Sequence, residues 1–190
     1  MALTFANKVT IGRILAVPIF IAIVLYYSPQ RDYLRYWALG IFLLAMITDM
    51  VDGYIARTRQ QKTRAGAILD PLADKMLLMS AFICLYKIGV FFSIVHFPVW
   101  LVVGVISRDV ILLLGAMLIY LVHGQLSLAP SQWGKASTLF QALSIIGMLL
   151  QWPDFLELWY VTIVLTTVSG VGYIYNGIKV LNAPSAKNIF

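Results

Sequence analysis

The sequence predicts an all-α integral membrane protein of six transmembrane helices, with a short amino-terminal helix lying along the membrane surface. Three observations carry this. Of its 190 residues 61% are hydrophobic and only 12% charged, whereas soluble domains are roughly 45–50% apolar. Its mean hydropathy is +0.88, more apolar surface than a chain of this size can bury without lipid acting as solvent. The apolar residues also gather into six runs close to the ~20 residues a spanning helix needs.

Taken in order, residues 1–10 are too polar to span, and Leu3, Phe5 and Val9 give them an apolar side for the lipid surface. The six runs cover about 11–28, 36–57, 67–87, 98–122, 136–152 and 156–181. Between them stand "SPQRD", "RTRQQKTR", "KIGVFFSIVHFP", "HGQLSLAPSQWGK" and "WPD", all carrying charge, glycine or proline that interrupts an apolar helix. The first run, "ILAVPIFIAIVLYY", has no small-x-small cleavage site and is followed by further runs, so it is expected to be retained. The fifth run is short and mixed with polar residues. No second domain is marked, and 1–190 reads as one.

Basic residues set the orientation. With six spans, one side collects Lys8, Arg13, Arg57, Arg59, Lys62, Arg64, Lys135, Lys179 and Lys187, against Arg31, Arg35 and Lys87 on the other. The termini and the 57–66 loop are therefore expected in the cytoplasm. The net charge of +6 comes from bases that flank apolar runs, which argues against nucleic acid as a partner. Cys84 is the only cysteine, so no intrachain disulfide or cysteine metal cluster can form. Trp100, Trp133, Trp152 and Trp159 read as interface anchors, His96 and His123 as residues of span ends, and "SGVGY" at 169–173 as a site of close helix packing.

Four aspartates break the apolar pattern near the cytoplasmic ends of spans two and three. Asp49, Asp52, Gly53, Ala56 and Arg57 are spaced i, i+3, i+4, i+7 and i+8, and Gly66, Asp70 and Asp74 i, i+4 and i+8. Each set is one stripe of a helix. Antiparallel neighbours would bring four carboxylates together, and such charge needs cations. Oxygen ligands without histidine or cysteine suit Mg²⁺ or Mn²⁺, and two such ions suit displacement at phosphorus. Gly53, Ala56 and Gly66 leave room for a ligand, with Arg57 adding positive charge. A proton or ion pathway, or structural pairing of helices, uses the same residue types. An ion or proton transporter is thus the competing class.

Read as a pattern, Asp49 to Asp74 is D-x2-D-G-x2-A-R-x8-G-x3-D-x3-D. It resembles the signature of the CDP-alcohol phosphotransferase family at every fixed position. Asn7, Thr10 and Arg13 in "NKVTIGRILAVP" resemble the family's amino-terminal entry. The resemblance implies that Asp49, Asp52 and Asp70 bind a first metal ion, and that Asp70 and Asp74 contribute to a second. It implies that Asp74 is the general base, that Gly53, Ala56, Arg57 and Gly66 line the CDP pocket, and that the protein is a homodimer. The implied reaction transfers a phosphate-bearing group from a CDP-linked donor to an alcohol and releases CMP.

"DPLADK" at 70–75 resembles the branch making phosphatidylglycerophosphate and the eukaryotic-type cardiolipin synthases, with CDP-diacylglycerol as donor. The acceptor is then glycerol 3-phosphate or phosphatidylglycerol. Arg64, Arg108 and Lys135 are the expected acceptor-binding residues. Phosphatidylglycerophosphate synthases usually show R-E-I and a second arginine further on. This chain has Arg108-Asp109-Val110 and then Gly115, a departure that resembles cardiolipin synthases, while the loop bases and Lys135 keep glycerol 3-phosphate in contention.

Overall fold

The computed structural model describes residues 5–59, 64–92, 94–123 and 132–181, and for 5–11, 13, 49–59, 64–74, 120–123, 155 and 180–181 it gives the backbone alone. Six helices make up the fold: α1 (Phe5–Leu25), α2 (Tyr33–Arg59), α3 (Arg64–Ile88), α4 (Val99–His123), α5 (Gln132–Leu150) and α6 (Leu156–Leu181). Single 3₁₀ turns stand at Pro29–Arg31, Gly89–Phe91 and Pro153–Phe155. No strand occurs among the described residues. Within the same residues, Val99–Ile119 and Leu156–Lys179 are long and apolar enough to cross a membrane, and Ile14–Leu25 and Tyr33–Thr48 are shorter apolar stretches.

The helices follow the apolar runs, with displaced ends in α1, α2, α3 and α5. Residues 5–10, expected as a separate surface helix, are the opening turns of α1. Their sequence holds no proline or glycine to interrupt a helix, and the helix runs on without a break. α5 begins at Gln132, and it ends at Leu150 because Gln151 takes a left-handed φ of 54°. Pro153 then opens the next turn.

α3 packs against α1, α4 and α5, and α2 against α1 and α5, so α2 and α3 share two neighbours. α6 packs against α4 and α5. The core between them includes Phe20, Phe42, Phe82, Phe97, Leu85, Leu101, Ile145 and Met148, all fully buried. Phe82 stacks on Phe97 at 5.0 Å, and Phe97 meets the edge of Trp159 at 5.6 Å. Trp159 is therefore a core residue, 5% exposed, and not the interface anchor expected. One turn into α6, it faces the loop before α4, a neighbour that the local sequence does not reveal. Trp100, Trp133 and Trp152 are exposed, and Cys84 is buried. Away from the core, Leu44, Val103, Leu114, Met117, Val164 and Val171 are 57–65% exposed. Apolar faces on so many helices at once suit lipid, not water.

α4 and α6 approach closely through glycine. A Cβ on Gly115 would sit 2.8 Å from the Tyr173 ring, whose hydroxyl donates to the Leu112 carbonyl at 3.0 Å. That hydrogen bond limits how far the ring can retreat. Gly115→Ala is expected to cost about 1–3 kcal/mol, read as a lowered thermal midpoint in detergent; an unchanged midpoint would mean the ring yields freely.

Gln151 ties the end of α5 to the loop before α4. Its Oε1 accepts from the Ile94 and Val95 amides at 3.3 and 3.1 Å, and its Nε2 donates to the Val95 and Met148 carbonyls, each at 2.9 Å. These bonds hold a non-glycine residue in a conformation it otherwise disfavours. Gln151→Ala keeps the strained φ and loses all four, with an expected loss of about 2–4 kcal/mol. Gln151→Gly relieves the backbone and should melt between the two; a glycine variant as stable as the parent would show the amide contacts to be idle.

Candidate active site

The four aspartates lie on the carboxy-terminal part of α2 and the first half of α3. Because both stretches are helical, positions 49, 52, 53, 56 and 57 form one stripe of α2 and 66, 70 and 74 one stripe of α3. The side chains of Asp49, Asp52, Gly53, Ala56, Arg57, Arg64, Gly66, Asp70 and Asp74 lie outside the described residues. Arg64 is the first residue of α3. Lys135 is exposed in the first turn of α5.

Immediately after Asp74, α3 contributes Lys75 to a buried charge network. Its Nζ lies 2.8 Å from Asp109 Oδ1 on α4. The same oxygen accepts from Arg108 Nη1 at 2.6 Å, and Arg108 Nη2 donates to the Ser169 hydroxyl on α6. The side chains of Lys75, Arg108 and Asp109 are 13%, 6% and 0% exposed. Among the described residues, two cations thus share one carboxylate. Asp109 Oδ2 and Arg108 Nε are buried with no hydrogen-bond partner among the described residues. Gly170 leaves the space that the arginine stem fills, since a Cβ there would lie 3.3 Å from Arg108 Cγ.

This network alters the sequence reading of the acceptor residues. Arg108 does not stand free, because its guanidinium is bonded across two helices. The second cation beside it is Lys75, from a different helix, where the sequence had been searched for an arginine further along α4. Gly115, where that arginine was sought, lies against Tyr173. The final residue of "DPLADK" was a signal in plain view, but its partner stands 34 residues away, and only the packing of α3 on α4 connects them. A polar seam between α5 and α6 also went unread. Ser137 meets Thr166 at 3.1 Å and Ser144 meets Thr162 at 2.9 Å, with fully buried Gln141 between them in the sequence.

Comparison with known proteins decides what this helix pair belongs to. Residues 3–172 match the CDP-alcohol phosphatidyltransferase family. The chain belongs to that family. It is 32% identical over 180 residues to a probable phosphatidylglycerophosphate synthase of Mycobacterium tuberculosis, covering 92% of this chain and 81% of that protein. It is 34% identical over 185 residues to a CDP-diacylglycerol–glycerol-3-phosphate 3-phosphatidyltransferase of Bacillus subtilis, covering 88% and 91%. It is 36% identical over 116 residues to a CMP-forming cardiolipin synthase of Oryza sativa, covering 57% and 33%. A CDP-alcohol phosphatidyltransferase is a transferase, and the family is membrane-associated and in general divalent-metal dependent. The residue types of this chain suit such an ion: four aspartates on two helices, without histidine or cysteine in either stretch, would supply the hard oxygen ligands that Mg²⁺ and Mn²⁺ favour.

Proposed function

We propose that this protein is a phosphatidylglycerophosphate synthase, moving the phosphatidyl group of CDP-diacylglycerol to glycerol 3-phosphate with release of CMP. The observation that carries the acceptor is the pair of buried cations, Lys75 and Arg108, that α3 and α4 bring together at the residue after Asp74. A phosphate monoester is the more highly charged of the two acceptors. Similarity over most of the chain to a protein named as a phosphatidylglycerophosphate synthase and to one named for glycerol 3-phosphate points the same way.

In this reading Asp49, Asp52, Asp70 and Asp74 hold two Mg²⁺ or Mn²⁺ ions, which when bound offset the charge of the diphosphate and of the departing CMP. Gly53, Ala56 and Gly66 admit the cytidine diphosphate, and Arg57 adds positive charge at its phosphates. Arg64, Arg108 and Lys135, now with Lys75, draw in the acceptor. Asp74 takes the proton from the acceptor hydroxyl. Its effectiveness comes from position, since a carboxylate beside cations is a weak base. The oxygen so freed forms the new bond to the donor's phosphorus as the bond to CMP breaks. The whole chain is one six-span domain working as a homodimer, with termini and site in the cytoplasm, where most of the flanking bases lie.

The second reading, a cardiolipin synthase with phosphatidylglycerol as acceptor, rests on the Arg108-Asp109 sequence and the partial likeness to the rice enzyme. Purified protein given labelled CDP-diacylglycerol, Mn²⁺ or Mg²⁺ and either acceptor separates them. Phosphatidylglycerophosphate is the expected product. Cardiolipin instead would establish the lipid acceptor, and CMP release with neither product would retain the family and reject both. Activity undiminished in excess chelator would rule out the metal mechanism, and ion transport without CMP release would establish the competing class.

A further inference from the structure

A second site lies at the other end of the bundle. Tyr27, Asp32 and Arg35 from the α1–α2 connection, Phe91, Phe92 and Ile94 after α3, and the end of α5 surround a cleft of about 550 Å³. Along α2 Arg35 stands 14 residues before Asp49, about 21 Å at the helical rise. The cleft is therefore separate from the aspartates, near the opposite membrane surface. Exposed Tyr26, Tyr36, Trp37 and Trp152 gather at this end, as aromatic residues do at headgroup depth.

Two features define its chemistry. Arg35 Nη2 and Asp32 Oδ2 pair at 2.9 Å, with side chains 11% and 47% exposed, so the cleft presents a positive and a negative group side by side. Arg35 also lies over the Tyr36 ring at 5.0 Å, and its Nε is buried with no hydrogen-bond partner. Tyr27 and Phe92 are in ring contact at 4.9 Å in its wall, and the lining residues Phe91 and Ile94 are exposed. A net-neutral charge pair of this kind complements a zwitterion better than a free anion, and the apolar rim can take acyl chains. We propose that this cleft holds the headgroup of a phospholipid carrying both a phosphate and a primary ammonium, such as phosphatidylethanolamine. The phosphate takes Arg35 and the ammonium takes Asp32, each replacing part of the Arg35–Asp32 pair. A quaternary ammonium has no N–H for Asp32, and an anionic glycerol headgroup meets its repulsion.

The proposal rests on the membrane reading and not on the acceptor. The test is lipid retention by the purified full-length protein, measured by native mass spectrometry after incubation with equal amounts of phosphatidylethanolamine, phosphatidylcholine and phosphatidylglycerol. The parent should retain the ethanolamine lipid over the other two by at least ~5-fold, consistent with one charge-assisted contact more. Arg35→Gln should abolish that preference. Asp32→Asn is nearly isosteric at a half-exposed position, so it still reports if the arginine variant fails to fold. It should raise phosphatidylglycerol to parity or above. CMP release from CDP-diacylglycerol should stay within about 2-fold of the parent in both variants, given the distance to the aspartates. Equal retention of all three lipids, no response to Asp32→Asn, or displacement by millimolar inorganic phosphate would overturn the assignment. So would loss of CMP release in folded variants of both residues, which would put the cleft in the reaction path. A parent that releases no CMP would reject the proposed function and leave the retention result standing by itself.

Discussion

Asp74→Asn is expected to reduce CMP release by ~10²–10⁴-fold, the range a positioned general base contributes, while the thermal midpoint in detergent stays close to the parent's. The amide matches the carboxylate in size but cannot take a proton, and it is a weaker metal ligand. Two measurements separate these roles. Raising Mn²⁺ should restore little if the lost function is proton transfer, and much of it if the lost function is metal affinity. Asp49→Asn is the companion, since Asp49 is assigned to the first metal ion alone and its variant should respond to added metal. Should Asp74→Asn retain more than about a tenth of parental turnover, the general-base assignment fails.

The second large effect is on Asp109. Removing one partner of a buried ion pair typically costs about 3–5 kcal/mol, because the other charge is left without compensation. Asp109→Leu leaves two cations, Lys75 and Arg108, in that position, so its loss should fall at the upper end or prevent folding. Lys75→Met removes one cation and leaves the short Arg108–Asp109 pair, so it should fold and melt nearer the parent. Its sharper effect should be on the reaction: KM for glycerol 3-phosphate rises while KM for CDP-diacylglycerol does not. The double variant Lys75→Met/Asp109→Leu should be more stable than Asp109→Leu alone, since fewer charges remain unpaired. Equal stability of the double and single variants would show that the lysine contact contributes nothing to the fold.

The helices were legible because each apolar run is bounded by residues that interrupt it. α4 and α6 fall within a residue of their expected limits. The end of α5 moved because of contacts remote in sequence. Gln151 closes α5 through bonds to Ile94 and Val95, more than fifty residues earlier, and nothing local distinguishes it from a glutamine that continues a helix. Trp159 was misassigned for the same reason: a tryptophan near a span end is ordinarily an anchor, and only Phe97 makes it core. For the site, the spacing of eight motif positions identified the helix stripes and, through the resemblance, the family. It did not identify the Lys75–Asp109 contact, because helical periodicity orders residues within a helix and is silent on which helix lies opposite.

The adjacency of Arg108 and Asp109 also bears on how the protein is made. Of the two candidate spans among the described residues, the one in α4 is the more hydrophobic, with a mean hydropathy of 2.2, yet it carries two full charges near its middle. Singly, each would oppose entry into the bilayer by about 2.5–3.5 kcal/mol. As immediate neighbours they compensate one another within the nascent segment, before either α3 or α6 is beside it. The segment can therefore leave the translocon alone, already neutral. Lys75 likewise follows Asp74 directly in α3, so each helix carries a compensating charge of its own before the two meet.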